Sequence, residues 1–384
     1  MKDDLSAIAA RFERPAGPYL ASHSVGLPPR SVRDHLNKDY LDVWMASGDG
    51  AWPSWLDAVE KWRALLAQLL GAQAKEICPQ TSVSSALFHC LTSLTMPGAP
   101  IGRVVMHETA FPSMGFVVTA LKESGAELSL IPRDAPPGDL DAWASALDGA
   151  SFALITHVHS NTGALSPVAA IADLARSRGV MSVLDCAQSV GVVPFTVQSL
   201  GVDAIVGSSV KWLCGGPGAG FLWMHPTRLT NAQPVFAGWF SHASPFAFDI
   251  RDLQFAEDAL KFWGGTPSVA PFVAASAGLS TILDCGVDRV RAHNVALQAT
   301  LLGTSLEEAA ALSADMGGTL CLTFPQDTLP GLRAALDRES VFYDVRGQTV
   351  RLSPHIYNTD EDAHLVGALL ADASVDDRRE LLAW

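Results

Sequence analysis

Residues 183–191 read VLDCAQSVG, and residues 203–220 read DAIVGSSVKWLCGGPGAG. Asp185 ends the first apolar run, and Lys211 closes the second just before a glycine-rich turn. Both runs have strand length and are rich in β-branched residues. In parallel α/β sheets, ligands bind beyond the carboxyl ends of the strands. A carboxylate and an amine at two such ends therefore aim at one cleft. A desolvated ammonium loses its charge easily, which suits Schiff-base formation. The plainer reading of Lys211 is a side chain snorkelling from a strand end. For Asp185 the plainer reading is an N-cap of a helix beginning near Ala187. In that reading the carboxylate points either into the cleft or back at the backbone.

Around this stretch, strand and helix patterns alternate from about residue 100 to 225. RVVMHE, LSLIP, FALITHV, VMSVLD, AIVGSS and GFLWM read as short buried strands. Helices are expected between them at Phe116–Ser124, Leu140–Ala146 and Pro167–Arg178. That alternation predicts an α/β fold with a doubly wound, mostly parallel sheet. Upstream, residues 54–72 carry apolar side chains at helical spacing, with Gly71 as a stop. Asp34–Ser47 also reads as helical. Thr81 and Ser82 precede a helical pattern (Val83, Leu87, Cys90, Leu91, Leu94). Hydroxyls there are either plain caps or part of an anion seat at a helix N-terminus. His23 and Ser24 lie in an irregular Pro- and Gly-rich segment and read as turn residues.

Downstream, residues 235–271 are aromatic and loop-rich, and residues 271–300 read as one long helix. Residues 303–384 give an α+β pattern, with strands in GGTLCLTF, VFYDVR and TVRLSP. The expected organisation is an N-terminal segment (1–48) packing with a small domain, a large domain (49–275) and a C-terminal small domain (276–384).

The chain has 384 residues, of which 48% are hydrophobic and 17% charged, enough for a sizeable core. A net charge of −14 without a basic run argues against nucleic-acid and anionic-membrane partners. The six cysteines show no metal-binding spacing and read as buried thiols. His157 and His159 sit at alternate strand positions, but no third ligand is evident, so no metal is expected. The first fifteen residues lack an apolar h-region, and no apolar run is long enough to span a bilayer. A cytoplasmic protein is expected.

LDCAQSVG followed by SSVKWLCGGPGAGFLW resembles the core of fold-type-I, class V pyridoxal-phosphate enzymes, and within that class the kynureninases. The likeness extends through PYLASHSVGLPP, KEICPQTSVSSAL, ETAFPS, AGWFSH, GGTPSVAP and YDVRGQTVRLSPHIYNTDED. It implies pyridoxal 5'-phosphate as cofactor, Lys211 as the Schiff-base lysine and Asp185 at the ring nitrogen. It implies Thr81 and Ser82 at the phosphate, Phe111 stacked on the ring, Asn161 and Gln188 as further cofactor contacts, and Trp239 at the phosphate. Thr266 is implied in a loop lent by a second subunit, and hence a homodimer with its active site at the interface. Arg351, with Ser24 nearby, is implied to bind the substrate carboxylate, as a planar guanidinium does bidentately.

Three positions depart from the kynureninase pattern: Val210 stands where a Tyr precedes the lysine, Met114 where an Asp follows AFPS, and Gln188 where a His is usual. Each removes an ionisable group. The resemblance implies hydrolytic Cβ–Cγ cleavage of kynurenine or a related amino acid. Transamination, β-elimination or a catalytically silent cofactor-binding paralogue are the alternatives. A desulfurase reading would need a nucleophilic Cys shortly before Arg351, and residues 338–350 contain none.

Overall fold

The computed structural model describes residues 5–373 and 377–383. Seven strands form the large sheet: β1 (Ile77–Gln80), β2 (Gly102–His107), β3 (Ala126–Ile131), β4 (Phe152–Thr156), β5 (Met181–Asp185), β6 (Ala204–Ser208) and β7 (Gly220–Met224). Their order is β1-β7-β6-β5-β4-β2-β3. Strands β2 to β6 run parallel to one another, and β7 is antiparallel to both β6 and β1.

Consecutive strand residues alternate faces, and here each face has its own core. Val183, Val206 and Leu154 pack into one, while Leu184, Ile205 and Ile155 pack into the other. Both faces are covered by helices, which explains why the strands read as continuous apolar runs. All six strands expected between residues 100 and 225 are present. Strand β1 was not foreseen, because Pro79 lies inside its four residues; an edge strand tolerates a proline.

The helix preceding β3 starts at Pro112 and runs to Ala120, earlier than its pattern suggested. No long helix begins near Ala187: turns follow Asp185, and the one helix between β5 and β6 is Val197–Leu200. The expected long helix over 271–300 is two helices, Ala270–Cys285 and Val287–Leu302. Gly286 separates them with a φ of 85°, and the axes turn by 81°. A glycine adopts that backbone without the steric cost of a side chain. Among the described residues no single helix is long and apolar enough to cross a membrane; this pair passes by length and composition only as a bent unit.

A second, antiparallel sheet holds β8 (Leu320–Thr323), β10 (Thr349–Leu352) and β9 (Asp344–Arg346), in that order. It has its own apolar core with Leu297, Leu301, Leu336 and Val366. The N-terminal segment runs alongside it. Leu20 N–H donates to Phe342 O at 2.9 Å, and Ser353 N–H donates to Leu20 O at 2.8 Å.

Candidate active site

The loop after β6 presents Lys211. Trp212 and Leu213 are fully buried and anchor it. Cys214 N–H donates to Lys211 O at 3.0 Å, and Cys214 takes a left-handed φ of 54°. Backbone held in that region is strained for a side chain and persists only where its surroundings enforce it. Lys211 and Asp185 border one cavity of 320 Å³ at the carboxyl ends of β5 and β6. They do not form an ion pair. Lys211 Nζ has no hydrogen-bond partner among the described residues and lies 5.6 Å from the centre of the Phe111 ring. Burial lowers the Lys211 pKa, against an opposing pull from Asp185. Burial raises that of Asp185, opposed by the Ala187 N–H and by Lys211.

Asp185 Oδ1 accepts the Ala187 N–H at 2.9 Å. The backbone role and the cleft role are therefore compatible, since a carboxylate has two oxygens. Oδ1 fixes the side chain, and the residue still lines the cavity.

Thr81, Ser82, Val83 and Ser84 form another wall. Ser82 caps the helix Val83–Leu94, its Oγ accepting from Ser85 N–H at 3.2 Å. The first N–H groups of a helix have no intrahelical acceptor, so the same turn also offers donors to an anion. Phe111, Ser113, Met114, Ser160, Gln188 and Val210 complete much of the lining. Gln188 Nε2 donates to His23 O at 3.1 Å, while its Oε1 is buried without a partner. Among the described residues, Asp185 and Lys211 are the only ionisable side chains in the lining.

Arg351 lies on β10 beside this cavity and not in its wall. Its Nε donates to Asp344 Oδ2 at 2.8 Å, Nη2 donates to the same oxygen, and Nη1 donates to Ser160 O at 2.6 Å. Arg346 Nη1 donates to Ser160 Oγ at 3.3 Å. The His23 ring and the Arg351 guanidinium hold the Asp344 carboxyl well below the usual carboxylate range. Burial lowers His23 to about 4, so the ring is neutral at pH 7.

Thr81, Ser82, Phe111, Asp185, Gln188 and Lys211 thus meet in one cavity. Asn161 follows Ser160 with its Oδ1 buried and unpartnered. Ser24 is exposed, its N–H donating to Ala21 O. Trp239 and Thr266 lie elsewhere in the chain, joined by a bond from Trp239 Nε1 to Thr266 Oγ1 at 3.2 Å. Asp344 and Arg346 were missed by sequence reasoning. The signal was present: DVR and TVR flanking Gly347 make a hairpin that sets Asp344 directly across from Arg351. Also unforeseen is a buried chain behind Phe111, in which Thr109 Oγ1 lies 2.6 Å from His107 Nδ1 and 2.7 Å from His159 Nδ1. All six cysteines are buried and none borders the cavity. Among the described residues, no three metal-ligating side chains cluster.

The family model for aminotransferase class-V matches residues 29–316, and the chain belongs to that family. The kynureninase of Deinococcus radiodurans is 30% identical over 312 residues, spanning 78% of this chain and 74% of that relative. The uncharacterized aminotransferase YcbU of Bacillus subtilis is 29% identical over 331 residues, spanning 85% and 86%. Among solved structures, the cystine C–S lyase C-DES in complex with cysteine persulfide superposes with a TM-score of 0.80 at 18% identity, over 93% of this chain and 98% of that one. The cysteine desulfurase from Thermococcus onnurineus NA1 does so with a TM-score of 0.78 at 20% identity, over 93% and 94%. These likenesses show the fold-type-I architecture.

Pyridoxal phosphate is the cofactor of this family. The cavity fits it on three counts: an unpaired, half-buried amine at Lys211, a buried carboxylate at Asp185, and an unpartnered amide oxygen at Gln188.

Proposed function

We propose that the chain is an enzyme that transforms an α-amino acid, most nearly in the manner of a kynureninase. The observation that carries this reading is the placement of Lys211 and Asp185, unpaired, on one cavity under Phe111. Asp185 would hold the ring nitrogen of pyridoxal phosphate and Lys211 its aldehyde end. Thr81, Ser82 and the helix start behind them would hold its phosphate, and Phe111 its face. Trp239 would also contact the phosphate, and Thr266 would reach the site from a second copy of the chain. Bound there, the cofactor supplies an electron sink for the pair left at the substrate's Cα.

The chain's own residues then have defined tasks. Arg351 binds the α-carboxylate and orients the Cα–H bond. Lys211, its ammonium weakened by burial, takes the Cα proton and returns it. Asp185 keeps the proton at the ring nitrogen. In kynureninase-like hydrolysis, water adds to the side-chain ketone and the Cβ–Cγ bond breaks, giving alanine and an aromatic acid.

A second reading, transamination or β-elimination, is favoured by the lining itself. Hydrating a ketone calls for an acid or base beyond the one at Cα, and the two ionisable groups of the lining, Lys211 and Asp185, already have tasks at Cα and at the ring nitrogen. Incubating the purified holo-protein with kynurenine and 3-hydroxykynurenine tests the first reading, since fluorescent anthranilate must appear. Keto acid formed from other amino acids only when an acceptor is supplied would replace it with transamination. Ammonia and keto acid released without an acceptor would replace it with elimination. Retention of the cofactor with turnover of no amino acid would leave a silent paralogue.

A further inference from the structure

Arg351 is only 2% exposed, and the side-on edge of its guanidinium is occupied. Nε and Nη2 both donate to Asp344 Oδ2. Asp344 sits directly opposite Arg351 in the β9–β10 pairing, so the hairpin itself makes the contact. The same Asp344 oxygen lies 3.7 Å from Arg346 Nε and 3.7 Å from His23 Nε2. Ser160 touches both arginines and borders the Lys211 cavity.

We propose that Asp344 is an exchangeable counter-ion: a substrate carboxylate displaces it from Arg351, Asp344 passes to Arg346, and only ligands carrying such an anion are admitted. This rests on the reading of Arg351 as the substrate grip.

A buried guanidinium left without a counter-ion is strongly disfavoured, so the resting protein needs an anion there. Asp344 supplies it. A bidentate carboxylate takes two neighbouring N–H groups of the guanidinium, and Asp344 holds the Nε and Nη2 pair. The charges around it decide where Asp344 goes. His23 Nε2 lies 3.7 Å from Asp344 Oδ2, but its ring is neutral at pH 7 and supplies no positive charge to the displaced carboxylate. Arg346 remains. Its side chain is 44% exposed, and it is held mainly by the 3.3 Å contact to Ser160 Oγ. One carboxylate enters as another leaves Arg351, so the charge around the guanidinium is unchanged. An amine without a carboxylate has nothing to exchange, which makes Asp344 a specificity-determining residue.

The test is calorimetric titration of the holo-protein with L-alanine and, as the carboxylate-free control, ethylamine. Asp344→Asn should bind L-alanine roughly tenfold more tightly, with ethylamine unchanged. Arg346→Gln, which removes the landing place and leaves Arg351 intact, should weaken L-alanine severalfold; it decides the matter alone if Asp344→Asn does not fold. Arg351→Gln should abolish the preference for L-alanine over ethylamine. If that preference survives, the reading of Arg351 beneath the proposal is wrong. If it is lost while Asp344→Asn binds L-alanine equally or more weakly, Arg351 keeps its role and the exchange is overturned. Unchanged binding in Arg346→Gln likewise overturns the transfer.

Discussion

Gly26 and Lys211 meet backbone to backbone, with no space between them for a side chain. Gly26 N–H donates to Val210 O at 2.9 Å, and a Cβ on Gly26 would lie 2.0 Å from Lys211 O. The irregular N-terminal segment is thereby a wall of the lysine's loop. Gly26→Ala should push that loop aside, at a cost of about 1–3 kcal/mol for overpacking. The expected result is a lowered melting temperature together with reduced cofactor content, measured by absorbance after dialysis. A variant that keeps full cofactor content would separate Gly26 from the placement of Lys211.

Lys211→Ala should remove covalent attachment altogether. Borohydride reduction followed by mass spectrometry should then find no adduct, and Cα-proton exchange should fall by ~100-fold or more, the usual share of a general base. Asp185→Asn should retain the attachment but lose most of the exchange. If the two variants behave alike, Asp185 does not act at the far end of the ring.

Val210 is where an added phenol has its greatest effect. The position lines the cavity beside Lys211 and contributes no proton donor. Val210→Tyr should raise anthranilate release from kynurenine relative to any keto-acid or elimination product. An unchanged product ratio would assign the kynureninase departures no role in choosing the reaction.

Buried histidines govern acid stability. His23, His157, His159 and His355 are each lowered by burial from 6.5 to about 4. The folded protein favours the neutral rings, while the unfolded chain takes up protons as soon as pH falls below 6.5. Their contribution is therefore complete above pH 6.5 and is lost as pH falls toward 4. Near pH 5 the loss is on the order of 1–2 kcal/mol per ring. Denaturant titrations at pH 7 and pH 5 should show it, and equal midpoints would contradict it.

Residues 235–253 expose Val235, Phe236, Phe248 and Leu253, with Phe248 75% and Ile250 100% exposed. Trp239, whose Nε1 donates to Thr266 of the loop the proposed function assigns to a neighbouring copy's site, stacks on Phe248 at 5.8 Å. A patch of this kind marks a contact surface. Ile250→Asp should shift the protein toward monomer in sedimentation and lower its activity in parallel. Full activity in a monomer would remove the need for a second copy.

The large sheet was readable because its strands are buried on both faces, so Val183–Asp185 and Ala204–Val206 stand out as apolar runs. Strand β1 was not, since Pro79 makes a four-residue edge strand look like a loop. Gly286 broke the expected long helix because one glycine does not interrupt apolar periodicity, although it permits the 81° turn. Within the site, Asp185, Lys211, Thr81 and Phe111 border one cavity because topology brings strand ends and helix starts there, whereas His157 lies outside its lining. The pair of Asp344 and Arg351 depends on hairpin register, and Trp239 and Thr266 do not border the cavity. Asp185 was misjudged as facing a choice because its two oxygens were treated as one.

The N-terminal wall has a consequence for how this protein is made. His23 N–H reaches Ser353 Oγ across a separation of 330 residues, and Leu20 is clasped between Phe342 and Ser353. Residues 18–26 leave the ribosome early and find those partners only when nearly all of the chain has been synthesised. Contacts of such long separation form late. Lys211 and Asp185 can be in place on their sheet well before then, but the enclosure around them is not. Stable cofactor loading should therefore need synthesis through Ser353. A translation arrest before residue 353 should leave a folded sheet that binds pyridoxal phosphate only transiently.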